Sequence, residues 1–193
     1  MSSINNSIPQ TLTIGLGANT NSPAGSPEST LIIARPVIEK VINEWICSYL
    51  NESRSKVLVD SESVFVWSPL YKTKPIGGPQ GQPDFVNAAL VVQGGNFLEV
   101  PPSIELARKL LKRFLLIEKD FGRDRSIKSV RWGPRSLDID LLAWGGLQVN
   151  SSDLTLPHPR SIQRNFVIIP LAEALKKNPA PPSQIPPQRG WQE

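Results

Sequence analysis

The chain is poor in cross-linking residues and has no segment suited to spanning a membrane. Its one cysteine, Cys47, rules out an internal disulfide framework. The neighbours Val41, Ile42, Trp45 and Ile46 predict a buried structural thiol there rather than a nucleophile. No apolar run approaches the roughly 20 residues that a membrane helix needs. Residues 1–10 are polar and lack the basic and apolar regions of a secretory signal, so a cytoplasmic location is the default expectation. There is no glycine-rich phosphate loop of the Walker type and no tandem repeat. The 193 residues suffice for one compact domain with a proper core, not for two large ones.

Positive charge is present but unevenly spread. The net charge is +4. Between positions 108 and 135 stand Arg108, Lys109, Lys112, Arg113, Lys119, Arg123, Arg125, Lys128, Arg131 and Arg135, opposed only by Glu118, Asp120 and Asp124. Lys109, Lys112 and Arg113 fit the wet face of a helix. Arg123, Arg125, Arg131 and Arg135 fall outside that pattern and suit a polyanion, either a nucleic acid or a nucleoside triphosphate.

The most informative run follows from Arg131: Arg-Trp-Gly-Pro-Arg-Ser-Leu-Asp-Ile-Asp-Leu-Leu-Ala-Trp. Leu137, Ile139 and Leu141 alternate with Asp138, Asp140 and Leu142, the pattern of a strand. Alternate residues of a strand share a face, with Cα atoms roughly 6.6 Å apart. Asp138 and Asp140 therefore point the same way and repel each other, and desolvating each costs on the order of several kcal/mol unless it is paired. A cation is expected beside them. Arg131 and Arg135 can supply part of the charge. Mg²⁺ fits better, because it takes one or two carboxylates together with substrate phosphates and water. Taken alone, an Asp-x-Asp is more often a solvated strand face. On the metal reading, loss of either carboxylate should abolish turnover and leave the fold as stable or more so.

Around this run, strands are predicted near 11–17, within 57–67, over 85–93 and over 136–144. Helices are predicted over 27–49, 103–121 and 165–177. Pro36 should kink or divide the first, Ser103 should cap the second, and Gly122 should end it. Residues 51–60 and 123–130 read as loops. Residues 68–84 hold Pro69, Pro75, Gly77, Gly78, Pro79, Gly81 and Pro83, too many breakers for regular structure, and form a candidate functional loop. The order β-α-β-β-α-β predicts an α+β, ferredoxin-like sandwich with helices packed on one face of a mostly antiparallel sheet and long active-site loops. Residues 11–177 form the domain, residues 1–10 a flexible N-terminus, and residues 178–193 a proline-rich, poorly ordered tail.

The run Arg131-Trp132-Gly133-Pro134-Arg135 followed by Asp138-x-Asp140 resembles the signature of the 6-hydroxymethyl-7,8-dihydropterin pyrophosphokinase family. Four further segments agree in order: Gly17-Ala18-Asn19, Tyr71-Lys72-Thr73 with Gln82 to Ala88, Glu118 with Gly122-Arg123, and Leu156-Pro157-His158-Pro159 with Arg164 and Phe166. The resemblance implies Mg²⁺-dependent transfer of pyrophosphate from ATP to the pterin alcohol, giving AMP and the pterin diphosphate in folate biosynthesis. It assigns Thr73, Lys74, Ile76, Phe85, Asn87, Trp132 and Phe166 to the pterin. Glu118, Arg125, Trp132, Arg135, Leu141, Thr155, His158 and Arg164 go to ATP. Asp138 and Asp140 go to two Mg²⁺ ions, and Arg123 and Arg131, with these two aspartates, to catalysis. A monomer without nucleic acid or membrane partners is implied. The chain departs from the family pattern at Ala18, Lys74, Leu115 and Asp153, in an apparent extra residue at Gly78, and in a longer segment over 49–61.

The residues carry physical reasons of their own. A pterin is flat and has a guanine-like donor-acceptor edge; Phe85 and Phe166 can stack on it, and the Asn87 amide can read the edge. Both phenyl groups also suit ordinary core packing. His158, the only histidine, reads equally as a turn residue between two prolines. The strongest rival is a basic RNA-binding domain of the same fold, but a strand presenting two carboxylates would repel a phosphate backbone. A nucleotidyl transferase that releases pyrophosphate is a second rival, and a catalytically dead relative serving as a binding module is a third.

Overall fold

The computed structural model describes residues 10–53, 62–125 and 132–176. The expected flexible N-terminus, the proline-rich tail and most of the 49–61 insertion lie outside the described residues, as does Arg131.

Strand β1 (Leu12–Ala18) leads to helix α1 (Pro27–Glu52), strands β2 (Val64–Trp67), β3 (Tyr71–Thr73) and β4 (Phe85–Gln93), and helix α2 (Ile104–Asp120). Strand β5 (Asp138–Trp144), the short pair β6 (Val149–Asn150) and β7 (Thr155–Leu156), and helix α3 (Asn165–Leu175) complete the described fold. The main sheet runs β2-β4-β1-β5, with β3 also pairing β4, and every pairing is antiparallel. This is the α+β sandwich expected from the element order. The β3 strand and the β6–β7 pair were not legible as strands, since each has only two or three residues.

The two faces of the sheet differ in chemistry. Leu12, Ile14 and Leu16 of β1 join Val86, Ala88, Leu90 and Val92 of β4 and Ile139 and Leu141 of β5 in one core, closed by Ile38, Ile42 and Trp45 of α1 and Leu110, Phe114 and Ile117 of α2. On the opposite face, α3 covers only part of the sheet, with Leu171 and Ala174 against Val66 and Val91. Helices thus pack on both faces, not on one as expected. The uncovered remainder of the second face is the floor of the cleft.

Local signals explain the element ends. The Ser26 hydroxyl caps α1 by accepting from the Ser29 N–H at 3.3 Å, and Pro27 follows at the first helical position. Of the two outcomes expected at Pro36, division does not occur: α1 continues through it as one helix. Pro36 lies on the exposed side with Ile32, Ile33 and Val37, so water can serve the carbonyl that its missing N–H leaves unpaired. Cys47 is exposed rather than buried. The helical period sends Ile42, Trp45, Ile46 and Leu50 inward and turns position 47 out.

Ser103 caps α2 as expected, accepting from the Leu106 N–H at 3.2 Å. At the other end Gly122 has φ +80°, the Gly122 N–H donates to the Lys119 carbonyl, and the Arg123 N–H donates to the Glu118 carbonyl. That paired closure needs a left-handed residue, which glycine supplies without strain, and it fixes where Arg123 leaves the helix. In β5 the register against β1 shifts between Thr13 and Ile14. The shift leaves Leu142 on the Asp face and returns Trp144 to the core, edge-on to Trp45 with ring centres 5.4 Å apart.

Candidate active site

The register places the site. On β1, Gly17 stands opposite Asn87 of β4 and Asp138 of β5, and Gly15 stands opposite Ala89 and Asp140. Two glycines on one face of the central strand make a trough between the Asn87 amide and the two carboxylates. A Cβ on Gly17 would lie 3.0 Å from Asn87 Oδ1, so any side chain there would fill the trough. The cleft above it is partly open to solvent. Its walls include Thr73, Lys74, Ile76 and Trp132 from loops, Phe85 and Asn87 from β4, and Arg164, Phe166 and Val167 at the start of α3.

One end of the cleft is polar and apolar by turns. Asn87 is buried, and its Nδ2 donates to Thr73 Oγ1 at 2.8 Å. That bond uses one of the two amide hydrogens and holds the side-chain plane, with Oδ1 above Gly17. The guanidinium of Arg135 lies 5.5 Å from the Phe85 ring centre, and that of Arg164 5.3 Å from the Phe166 ring centre. Two planar cations thus sit over two aromatic faces inside one cleft.

The other end is ionic. Arg135 Nη1 is hydrogen bonded to Asp138, and the guanidinium groups of Arg123 and Arg125 approach the same carboxylate at 3.7 and 3.6 Å. Glu118, buried at the end of α2, accepts the Ile139 N–H at 2.8 Å and Arg125 Nε at 2.8 Å. Glu118 therefore clamps α2 to β5 and holds Arg125 beside Asp138. Burial pushes the Glu118 carboxyl up, against the pull of the Ile139 N–H. Asp140 is pushed up to about 7, first by burial and then by the charge of Asp138. Burial lowers Arg123, with Asp138 opposing. His158 donates its backbone N–H to the Leu142 carbonyl at 2.7 Å, and its imidazole is held below the usual range by burial and then by Arg164 and Arg160.

The donor set suits Mg²⁺. Asp138 and Asp140 supply hard carboxylate oxygens on one face, and the raised Asp140 marks a place where a cation would relieve repulsion. Among the described residues no group of three or more His, Cys, Asp or Glu side chains gathers, so the remaining ligands would come from phosphate and water.

A scan of family models matches residues 13–176 to 7,8-dihydro-6-hydroxymethylpterin-pyrophosphokinase. The chain belongs to this pyrophosphokinase family. The 2-amino-4-hydroxy-6-hydroxymethyldihydropteridine pyrophosphokinase of Haemophilus influenzae is 33% identical over 172 residues, 89% of this chain and 86% of the relative. The proteins of the same name from Helicobacter pylori and Synechocystis are 28% and 38% identical, over 82% and 55% of this chain and 77% and 47% of their own lengths.

Within this pyrophosphokinase, all seven residues expected at the pterin line the cleft, together with Arg135, Arg164, Asp138 and Asp140. Arg123, Arg125 and Glu118 stand behind Asp138. Leu141 and Thr155 do not line the cleft: Leu141 turns into the core under the helices, and Thr155 pairs with Asn150 in β7. Asp153, one of the departures, is engaged by Arg108 through two hydrogen bonds of 2.8 and 3.0 Å. Sequence reasoning did not mark Gly15 or the role of Gly17 as floor. The available signal was a pair of glycines at strand spacing between apolar residues, which indicates close approach of a ligand or another side chain.

Proposed function

We infer that this pyrophosphokinase transfers the β,γ-pyrophosphoryl group of ATP to the hydroxymethyl oxygen of 6-hydroxymethyl-7,8-dihydropterin, releasing AMP. The single observation that carries the reading is the trough over Gly15 and Gly17, which joins an amide-and-aromatic pocket to two carboxylates, one of them, Asp138, met by three arginines. The pterin ring lies between Phe85 and Phe166, and the Asn87 amide reads its edge with Thr73 fixing the amide plane. The triphosphate lies toward Arg123, Arg125, Arg135, His158 and Arg164. His158 can donate an N–H to a phosphate oxygen. Two Mg²⁺ ions held by Asp138 and Asp140 would neutralise the phosphate oxygens and ease loss of the hydroxymethyl proton.

The rest is positioning. The hydroxymethyl oxygen gives up its proton to solvent and forms a bond to the β-phosphorus while the bond from that phosphorus to the α–β bridging oxygen breaks, and its electron pair leaves with AMP. Arg135 stands between the Phe85 face and Asp138, so it is placed to follow the group as it passes from nucleotide to pterin. The lone exposed Cys47 supports a cytoplasmic enzyme. Among the described residues no helix is long and apolar enough to cross a membrane.

Nucleotide chromatography after a short incubation with ATP, Mg²⁺ and the pterin alcohol tests the reaction. AMP is expected, in step with the pterin diphosphate and only when the pterin is present. ADP would indicate ordinary phosphoryl transfer, and free pyrophosphate nucleotidyl transfer. Either would overturn the reading.

The floor has its own test. Gly17→Ala places a methyl group 3.0 Å from Asn87 Oδ1 and should displace the amide. Pterin affinity is expected to fall about tenfold, the equivalent of one lost buried hydrogen bond. Unchanged affinity by calorimetry would remove Gly17 from the pterin floor.

A further inference from the structure

The arginines around the cleft divide into two groups by their partners. Arg123, Arg125 and Arg135 each meet the carboxylate of Asp138, and Arg125 meets Glu118 as well. Arg160 and Arg164, on the turn that leads into α3, form no ion pair among the described residues. Burial lowers Arg164, and the charge of Arg160 lowers it further, while Asp140 and Asp138 pull the other way from beyond ion-pairing range. The positive charge left without a partner is therefore gathered at these two residues. Arg164 lines the cleft and is already placed at the phosphates. Arg160 has no role so far.

Local hydrogen bonds fix the turn that carries Arg160. Ser161 is buried, and its N–H and hydroxyl both donate to the His158 carbonyl, at 3.0 and 2.8 Å. The Gln163 N–H closes on the Arg160 carbonyl at 3.3 Å. The Arg160 N–H donates to His158 Nδ1 at 3.4 Å, which leaves the proton of a neutral imidazole on Nε2. From this frame the Arg160 guanidinium extends over the Trp132 ring, 5.3 Å from its centre. Trp132 has φ +59°, a left-handed conformation that a bulky residue keeps only when its surroundings hold it there. A Cβ on Gly77 would stand 3.0 Å from the same ring, so the ring lies against the pterin loop. Trp132 lines the cleft and Arg160 does not, which puts Arg160 at the rim, on the pterin side. A guanidinium over a ring face keeps the N–H donors along its edge for a phosphate.

The phosphates of ATP differ in where the reaction leaves them. The α-phosphate stays on AMP. The terminal phosphate travels with the β-phosphate and ends on the pterin diphosphate, on the pterin side of the bond that breaks. We propose that Arg160 is a specificity residue for this terminal phosphate, which it binds in ATP and continues to hold in the pterin diphosphate from its place over Trp132. The inference rests on the substrates named above. Arg123, Arg125 and Arg135 are drawn to Asp138 at the inner end, whereas the terminal phosphate carries the most charge of the three and needs a cation with no carboxylate of its own. A residue that grips it selects triphosphate over shorter nucleotides on the way in and retains the diphosphate product on the way out.

The experiment is calorimetric titration, with Mg²⁺ present, of four ligands: an ATP analogue with a methylene in place of the α–β bridging oxygen, AMP, the pterin alcohol and the pterin diphosphate. The first and last carry the terminal phosphate; the other two do not. Arg160→Gln keeps a planar group over Trp132 and removes the charge. It is expected to weaken the analogue and the pterin diphosphate by about tenfold or more, as for a lost hydrogen bond to a charged group. AMP and the pterin alcohol should stay within about twofold. Arg160→Lys retains the charge, should recover part of both losses, and gives a second reading should Arg160→Gln fold poorly. Unchanged affinity for the two ligands that carry the terminal phosphate, a loss confined to one of them, or an equal loss for AMP or the pterin alcohol would overturn the proposal; the last result would reduce Arg160 to a support of Trp132. Failure of the unaltered chain to bind the pterin alcohol or the analogue would overturn the substrate assignment, and the proposal with it.

Discussion

Asp138→Ala and Asp140→Ala are each expected to lower turnover by at least a thousandfold, yet to move the stability of the ligand-free protein in opposite directions. Each removes a carboxylate from the strand that faces the phosphate end of the cleft. Their surroundings differ. Asp138 is met by Arg123, Arg125 and Arg135, so its removal leaves three mutually repelling guanidinium groups, and the protein should be destabilised. This revises the expectation that losing either carboxylate would hold or raise stability. Asp140 is pushed up to about 7 by burial and by Asp138, and the pull of Arg135 and Arg125 does not offset them.

The sign of the pH effect follows from that shift. Between the ordinary carboxylate range near 4 and a folded-state value near 7, the folded protein binds a proton that the unfolded chain does not. Stability therefore falls as pH rises through this window, and above it the charged Asp140 imposes its full cost. Asp140→Asn should be more stable than the unaltered protein at pH 8, by on the order of 2 kcal/mol, and the difference should vanish near pH 4. Urea denaturation in the presence of a chelator, at several pH values, checks this. A constant difference across the range would mean that Asp140 is not the group responsible. Near-normal turnover of either alanine variant at saturating Mg²⁺ would sink the metal assignment itself.

How much of this was legible beforehand depends on the period of each signal. Asp138 and Asp140 could be put on one face from alternation alone, and Ser103 and Gly122 marked the ends of α2 through chemistry local to each end. The strand 85–93 was readable because β-branched and aliphatic residues fill it without a breaker. What stayed hidden is what depends on pairing. Gly15 and Gly17 are ordinary small residues until the register sets them between Asn87 and the carboxylates. Cys47 seemed buried by its neighbours in sequence, whereas on a helix the neighbours that matter lie three and four positions away. Pro36 seemed disruptive because its exposed side was unknown. Glu118 was legible as a residue of the nucleotide end, but its bond to the Ile139 N–H needed α2 and β5 to be brought together. The hydrogen bonds that join Asn19 to the Arg135 N–H and to Gln82 span three separate loops, and no periodicity in the chain announces them.

Asn87→Ala is expected to weaken pterin binding by about tenfold to a hundredfold and to leave binding of an ATP analogue, with a methylene in place of the α–β bridging oxygen, within twofold. The amide is buried, donates to Thr73, and sits on the strand directly across Gly17 from Asp138. A pterin edge placed there is held by one amide face, and a buried hydrogen-bonding group deprived of its partner costs about 1–3 kcal/mol. The amide bonds to Thr73 and not to the arginines around Asp138, so the nucleotide should not sense its loss directly. Thr73→Val extends the test. It keeps the amide but removes the hydroxyl that holds Nδ2, freeing the side chain to rotate, and it should cost less than Asn87→Ala in the same direction. Calorimetric titration of each ligand alone separates the cases. A selective loss for the pterin, larger for Asn87→Ala than for Thr73→Val, fits an amide that reads the ring edge from a fixed plane. Equal losses for pterin and nucleotide would instead reduce Asn87 to a support of the β3–β4 pairing, and the ring edge would have to be read from elsewhere in the cleft.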